Sequence, residues 1–138
     1  MSQAHILTDL NWLAILLAAV AAFVLGGAWY SPRLFGGAWM QDVGLTEESA
    51  AESNMALIFG GAFLLILVAA IFLGATIGNS GTWLTGLHTG LVVGLAWVST
   101  AYGVTYLFER RPLRLFLVNA GYNVVLFALM GTIIGAWH

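Results

Sequence analysis

Few side chains in this sequence can do acid–base, nucleophilic or metal chemistry, and those few are scattered. The 138 residues include four arginines, six acids, three histidines and no cysteine. His88 has no cysteine, acid or second histidine three or four positions away, which is the spacing of a helical metal site. No nucleophile is paired with a base, and no carboxylate pair stands in an acid–base arrangement. We therefore expect no enzyme and no catalytic, cofactor-binding or metal-binding residues.

The polar side chains of the apolar segments fall into two groups. An inner polar layer is formed by the following residues: Ser99, Tyr102, Asn119 and Asn123. A second, outer polar site pairs His88 with Thr132, each five residues, or about 7–8 Å, inside a helix-end tryptophan. Such groups either join neighbouring helices through hydrogen bonds or line a polar cavity in the membrane. Joining is the commoner role, and we favour it while leaving the cavity open.

The composition indicates that these polar residues lie in membrane-spanning segments. Hydrophobic residues make up 61% of the chain and charged residues 7%, against roughly 25% charged in soluble domains. Four apolar runs cover about residues 9–30, 54–77, 83–108 and 112–137, and each reaches the roughly 20 residues that a spanning helix needs. The sequence predicts an all-α, polytopic membrane protein in which residues 1–138 form one four-helix transmembrane domain. The interiors of the runs lack acids and cations, which disfavours an ion-coupled pump.

The first connection, residues 31–53, predicts a short interfacial helix between helices 1 and 2. Its apolar positions from Leu34 to Val43 recur at helical spacing. The interfacial anchors are Trp29, Tyr30, Arg33 and Trp39. All four arginines fall in or beside the first and third connections, which share one membrane face. The positive-inside rule makes this face cytoplasmic and leaves both termini outside. With so few cations we expect the lipid bilayer, and no nucleic acid, as a partner.

Glycines recur at the four-residue spacing that lets helix backbones approach closely. These helix-packing residues are Gly86, Gly90 and Gly94 on helix 3 with Gly131 and Gly135 on helix 4. The glycine ridge of helix 3 lies on the face opposite His88, so that helix has two contact faces. We expect contacts both within the bundle and across a subunit boundary, in a homo-oligomer or a larger membrane complex.

One string of residues resembles a known family. The pattern W-Y-S-P-x-x-F-G-x-x-W, from Trp29 to Trp39, is similar to the start of a bacterial family of small four-span integral membrane proteins catalogued as a domain of unknown function. The resemblance implies a multi-pass protein of the bacterial inner (cytoplasmic) membrane and carries no activity.

Two functions fit these observations. The favoured one is a noncatalytic homo-oligomer or accessory membrane subunit that packs through its glycine ridges. The alternative is a passive channel or uncoupled carrier for a small neutral or weakly polar solute, with the inner polar layer lining its path.

Overall fold

The structure, a computed structural model, describes residues 9–137. These residues form seven α-helices: α1 (Trp12–Trp29), α2 (Gly36–Val43), α3 (Glu47–Ala51), α4 (Met55–Ile77), α5 (Trp83–Val92), α6 (Ser99–Glu109) and α7 (Leu113–Ala136). A π-helical segment, Val93–Val98, joins α5 and α6 into one continuous helix, Trp83–Glu109.

Four of these elements are long and apolar enough to cross a membrane: α1, α4, the continuous helix Trp83–Glu109, and α7. Their outward surfaces are apolar, with Leu107 and Phe108 of α6 exposed by 81% and 86%. Large exposed hydrophobic side chains are what lipid contact requires. The predicted all-helical fold with four spanning helices is confirmed, and the short helix α2 lies between the first two spans as expected.

The helix boundaries follow from capping side chains. Asn11 and Asn54 each accept a hydrogen bond from a backbone N–H three residues on, which starts α1 and α4. Thr82 and Thr85 form a reciprocal capping box at the start of α5. Gly78 ends α4 with a φ of 73°, a conformation that glycine adopts without strain. These caps allow the short turn between the second and third spans.

Helix α7 is the centre of the bundle. It contributes nine buried residues, whereas α4 contributes three. The core beside α7 combines Ile15 and three alanines of α1 with residues of α4 and α7: Ile15, Ala18, Ala19, Ala22, Ala70, Leu73, Leu126, Met130 and Ile134. The small α1 residues let that helix lie close to its neighbours, and α7 packs against all three other spans.

The glycine ridge of the third span packs directly on the α7 backbone. A Cβ at Gly86 would overlap the Gly131 carbonyl oxygen, and a Cβ at Gly90 would overlap that of Phe127. Gly135 approaches the backbone of Thr82 equally closely. We call this part of the bundle the glycine end. Because α7 of the same chain covers the ridge, these glycines cannot form the subunit boundary to which the sequence also assigned them.

Candidate functional site

A hydrogen-bonded network joins three spans at the opposite end of the bundle, which carries the four arginines and which we call the arginine end. The Tyr30 hydroxyl donates to Asn119 Oδ1 at 2.6 Å. The Asn119 amide Nδ2 in turn donates to the Tyr106 hydroxyl at 2.7 Å. Asn119 is only 8% exposed, so both bonds replace water. The Asn119 side chain on α7 therefore links the end of α1 to α6.

Aromatic rings pack around this link. Tyr30 contacts Tyr122 edge-on with ring centroids 5.2 Å apart, and Tyr102 contacts Tyr106 in the same way at 5.5 Å. The Tyr122 hydroxyl donates to the Ala22 carbonyl at 3.2 Å. We define the tyrosine–asparagine network by these residues: Tyr30, Tyr102, Tyr106, Asn119 and Tyr122. A Cβ at Gly26 would lie 2.8 Å from the Tyr122 hydroxyl, so the space left by this glycine is filled by a side chain of the network.

The tryptophan-tyrosine-serine-proline string folds into a tight turn that positions Tyr30. After α1 ends at Trp29, the Phe35 N–H donates back to the Trp29 carbonyl and the Gly36 N–H donates to the Ser31 carbonyl. A Cβ at Gly36 would overlap the Tyr30 carbonyl oxygen, so the turn requires glycine there. The Trp29 indole donates to the Val118 carbonyl of α7 at 3.0 Å. The turn thus fixes the end of α1 against α7.

An ion pair attaches the interfacial helix α2 to the start of α7. Arg114 Nε and Nη2 donate to the two carboxylate oxygens of Asp42 at 2.9 and 2.6 Å, and Nη2 also reaches Gln41 at 3.3 Å. This two-point geometry is the strongest arginine–carboxylate arrangement. The hydrogen bond from Arg114 lowers the pKa of Asp42 below its ordinary value. Trp39 of the same helix packs edge-on against Tyr30, which brings α2 onto the network.

The four residues of the predicted inner polar layer do not share one role in the structure. Asn119 joins helices, and Tyr102 packs within the network. Ser99 instead donates to the Gly94 carbonyl at 2.7 Å, five residues earlier on its own helix, where the π segment brings that carbonyl into reach. Asn123 donates to the Asn119 carbonyl of its own helix at 2.8 Å. Hence the Asn119 side chain bonds to other helices, whereas the Asn123 side chain bonds to its own helix.

The predicted outer polar site is not assembled. The Thr132 hydroxyl donates to the Ala128 carbonyl of its own helix at 2.7 Å. His88 lies on the exposed face of α5, away from the buried Gly86 and Gly90. Within residues 9–137 no hydrogen bond joins His88 to Thr132, and these residues contain no group of three potential metal ligands. The Thr132 hydroxyl is therefore satisfied within its own helix, while His88 faces outward.

Sequence reasoning missed the part that Tyr30 plays. The sequence predicts Trp29 and Tyr30 as interfacial anchors, yet both are half-buried and hydrogen-bonded to α7. Arg33 and Trp39 do lie in the connecting segment as expected, with Arg33 exposed. The available signal was depth, because Tyr30 at the end of span 1 stands level with Asn119 near the start of span 4. Only the turn that follows Trp29 shows that Tyr30 points inward.

These features define a four-span α-helical membrane protein whose spans are joined by glycine contacts at one end and polar contacts at the other. Residues 13–135 match the family model described as "Protein of unknown function (DUF1761)". The chain therefore belongs to this family, which confirms the resemblance. No curated protein and no solved structure matches the chain.

Proposed function

We propose that this protein is a noncatalytic, self-associating membrane subunit whose contact surface is the uncovered glycine face of α4. The observation that carries the proposal is the pair Gly60–Gly61, in the interior of a spanning helix. A Cβ at either position would have nothing within 4 Å. Every residue from Met55 to Gly60 is exposed, including Leu57 at 71%. This half of α4 has little cover from its own chain.

The cost of these glycines supports a partner helix at this surface. Glycine in a helix interior is less favourable than alanine by roughly 1 kcal/mol. At the glycine end that cost is offset by close packing on α7, but Gly60 and Gly61 gain no such contact within the chain. In lipid, small residues allow two helices to approach and gain van der Waals contact. A second copy packed here would supply the close van der Waals contact that Gly60 and Gly61 lack within one chain.

The tyrosine–asparagine network supports a joining role over a path for solutes. A conduit at this layer needs amide or hydroxyl groups that a solute can bind. Both ends of the Asn119 amide are already occupied by Tyr30 and Tyr106. The space beside Gly26, which a passing solute would need, holds the Tyr122 hydroxyl. These contacts favour the subunit over the channel or uncoupled carrier.

For orientation, we propose a bacterial inner-membrane protein with the arginine end in the cytoplasm and both termini outside. The support is the positive-inside rule, since Arg33, Arg110, Arg111 and Arg114 all lie at one end. The chain has no cysteine, so single cysteines at Ser49 and Asn79 report the two faces separately. In intact cells an impermeant thiol reagent should label Asn79→Cys and leave Ser49→Cys unmodified. The reverse pattern would invert the topology.

Cysteine cross-linking in membranes tests the α4 surface. Leu57 and Leu64 stand three and four residues from Gly60 and so share its face. Oxidation should yield disulfide-linked dimers of Leu57→Cys and Leu64→Cys. The matched control is Leu107→Cys, which is 81% exposed on α6 at the same end. Adding Gly61→Leu to either test variant should abolish the dimer without unfolding the chain.

Two results would reject self-association through α4. One is cross-linking of the α4 cysteines no faster than that of Leu107→Cys. The other is one copy of the protein in each lipid nanodisc, counted by native mass spectrometry. Liposomes containing the protein should show no more solute flux than empty liposomes. Flux that is lost in an Asn119→Ala, Asn123→Ala double variant would support the channel instead.

A further inference from the structure

A groove of about 410 Å³ opens at the arginine end between α6 and the first turn of α7. Its volume falls within the roughly 300–1,000 Å³ typical of ligand sites. The residues that line it are Gly103, Tyr106, Leu107, Arg110, Arg111, Leu113 and Phe116. Arginines stand at the end of the helix, while apolar side chains extend along the part that enters the membrane.

The apolar part of the groove is built on a single face of α6. Gly103, Tyr106, Leu107 and Arg110 follow the spacing of residues that share a helix face. Gly103 has no side chain to fill the space, and a Cβ there would lie 3.4 Å from the Phe116 ring. Phe116 therefore forms the far wall and Gly103 the floor. Leu107 beside them is 81% exposed, so the groove is continuous with the lipid-facing surface.

The mouth of the groove carries positive charge. Arg114 is engaged by Asp42, but it does not line the groove. Arg111 has one long contact, 3.5 Å, with Glu109. Arg110, in the left-handed conformation that ends α6, forms no ion pair with any acid among residues 9–137. Two guanidinium groups, only one of them partly neutralised, thus stand over an apolar groove.

Tyr106 also lines the groove, between Arg110 and Gly103 along the helix. Its hydroxyl oxygen accepts from Asn119 Nδ2. Tyr106 lies four residues before Arg110, or about 6 Å deeper along the helix. From the helix end inward, the groove therefore presents cations and then apolar side chains.

We infer that this groove binds an anionic phospholipid from the membrane leaflet at the arginine end. The order of chemistry matches such a lipid: its phosphate against Arg110 and Arg111, and an acyl chain along Gly103 and Phe116. Arginine binds phosphate oxygens at two points, which favours it over other cations for this purpose. The apolar floor and its opening to lipid select a membrane lipid over a soluble phosphate. The inference is independent of self-association through α4.

Lipid retention tests this assignment. The full-length protein is reconstituted in vesicles of phosphatidylcholine with one fifth phosphatidylglycerol, extracted, and examined by native mass spectrometry. Phosphatidylglycerol should remain bound to the wild type in preference to phosphatidylcholine. The double variant Arg110→Gln, Arg111→Gln should retain about 25-fold less, since each interfacial arginine contributes roughly fivefold to anionic lipid binding and the two factors multiply. The matched control Arg33→Gln removes an exposed arginine outside the groove and should retain the wild-type amount.

Two further measurements complete the test. Gly103→Leu fills the floor while keeping both arginines and should also lower retention, whereas Gly103→Ala should have a smaller effect. If the arginine variant fails to fold, the wild type alone still decides, because phosphatidylglycerol should raise its unfolding temperature more than phosphatidylcholine does. Equal retention of both lipids, or equal loss in Arg33→Gln, would overturn the proposal. Displacement of the lipid by inorganic phosphate would show a soluble-anion site instead.

Discussion

The two ends of the bundle join the same helices by different means. At the glycine end Gly86 and Gly131 bring the third and fourth spans together until their backbones touch. At the arginine end the spans are linked by side chains, with Tyr30, Asn119 and Tyr106 forming two successive hydrogen bonds. Hydrophobicity does not drive helices together in lipid, so van der Waals contact and hydrogen bonds must. This chain uses close van der Waals contact at the glycine end and hydrogen bonds at the arginine end.

The difference explains how each end responds to change. A backbone contact tolerates no added atom, because there is no flexible side chain to move aside. A hydrogen-bonded link tolerates changes in volume but not the loss of one partner, since the remaining groups are left buried without a bond. The glycine end should therefore be sensitive to size and the arginine end to polarity.

The largest effect is expected from Gly86→Leu. The new side chain would meet the Gly131 carbonyl and force α5 away from α7. We expect a loss of about 3 kcal/mol or more, or failure to yield folded protein. Thermal unfolding in detergent measures it. The matched control is Gly61→Leu, at a position where a Cβ meets nothing within 4 Å, and its monomer should unfold at the wild-type temperature. Equal effects at Gly86 and Gly61 would refute close packing at the glycine end.

A smaller loss is expected from Asn119→Ala, which removes the link between Tyr30 and Tyr106. Two hydroxyl groups lose their partner, for an expected cost of about 1–3 kcal/mol. Asn123→Ala removes an amide of the same kind one turn away that bonds only to its own helix, and should cost less than about 1 kcal/mol. If Asn123→Ala were the more damaging change in thermal unfolding, the assignment of the link to Asn119 would be wrong.

The smallest effect is expected from Asp42→Asn, which breaks the ion pair with Arg114. The pKa of Asp42 is lowered from 3.8, so the pair stabilises the fold fully above that value and is lost as the pH falls through the lowered pKa. Wild type should exceed Asp42→Asn in stability at neutral pH, and this gap should close in acid. Asp9→Asn, an equal charge change at a residue outside this ion pair, is the matched control. High salt should also narrow the gap, because the Arg114 side chain of the pair is 53% exposed to solvent.

Much of the fold could be predicted because membrane spans have a strong length and composition signal. The run predicted at about 54–77 is the helix Met55–Ile77, and that at 83–108 is Trp83–Glu109. The π segment Val93–Val98 left no periodic signal, since it shifts the register inside an unbroken apolar run. Helical spacing correctly puts Gly90 and His88 on different faces of one helix. It cannot say whether the neighbour that covers Gly90 belongs to the same chain.

The candidate site was less predictable. Asn119 and Tyr102 were recognised because polar residues are rare in apolar runs. The sequence places Tyr30 at the interface, because an aromatic residue at a span end usually lies there. Its inward position depends on the turn closed by Gly36, a contact between the Tyr30 backbone and a residue six positions later. Spacing alone does not encode such a turn, so only the folded chain shows that Tyr30 belongs to the network.

The central claim is that the Asn119 side chain links α1 and α6 at the arginine end through its hydrogen bonds to Tyr30 and Tyr106. A double-mutant cycle tests it most directly. Tyr30→Phe removes only the hydroxyl that donates to Asn119 Oδ1. In the wild-type background it should lower the free energy of unfolding by about 1 kcal/mol. In the Asn119→Ala background, where no acceptor remains, it should cost nothing measurable. An equal cost in both backgrounds would contradict the account, because the Tyr30 hydroxyl would then act independently of Asn119.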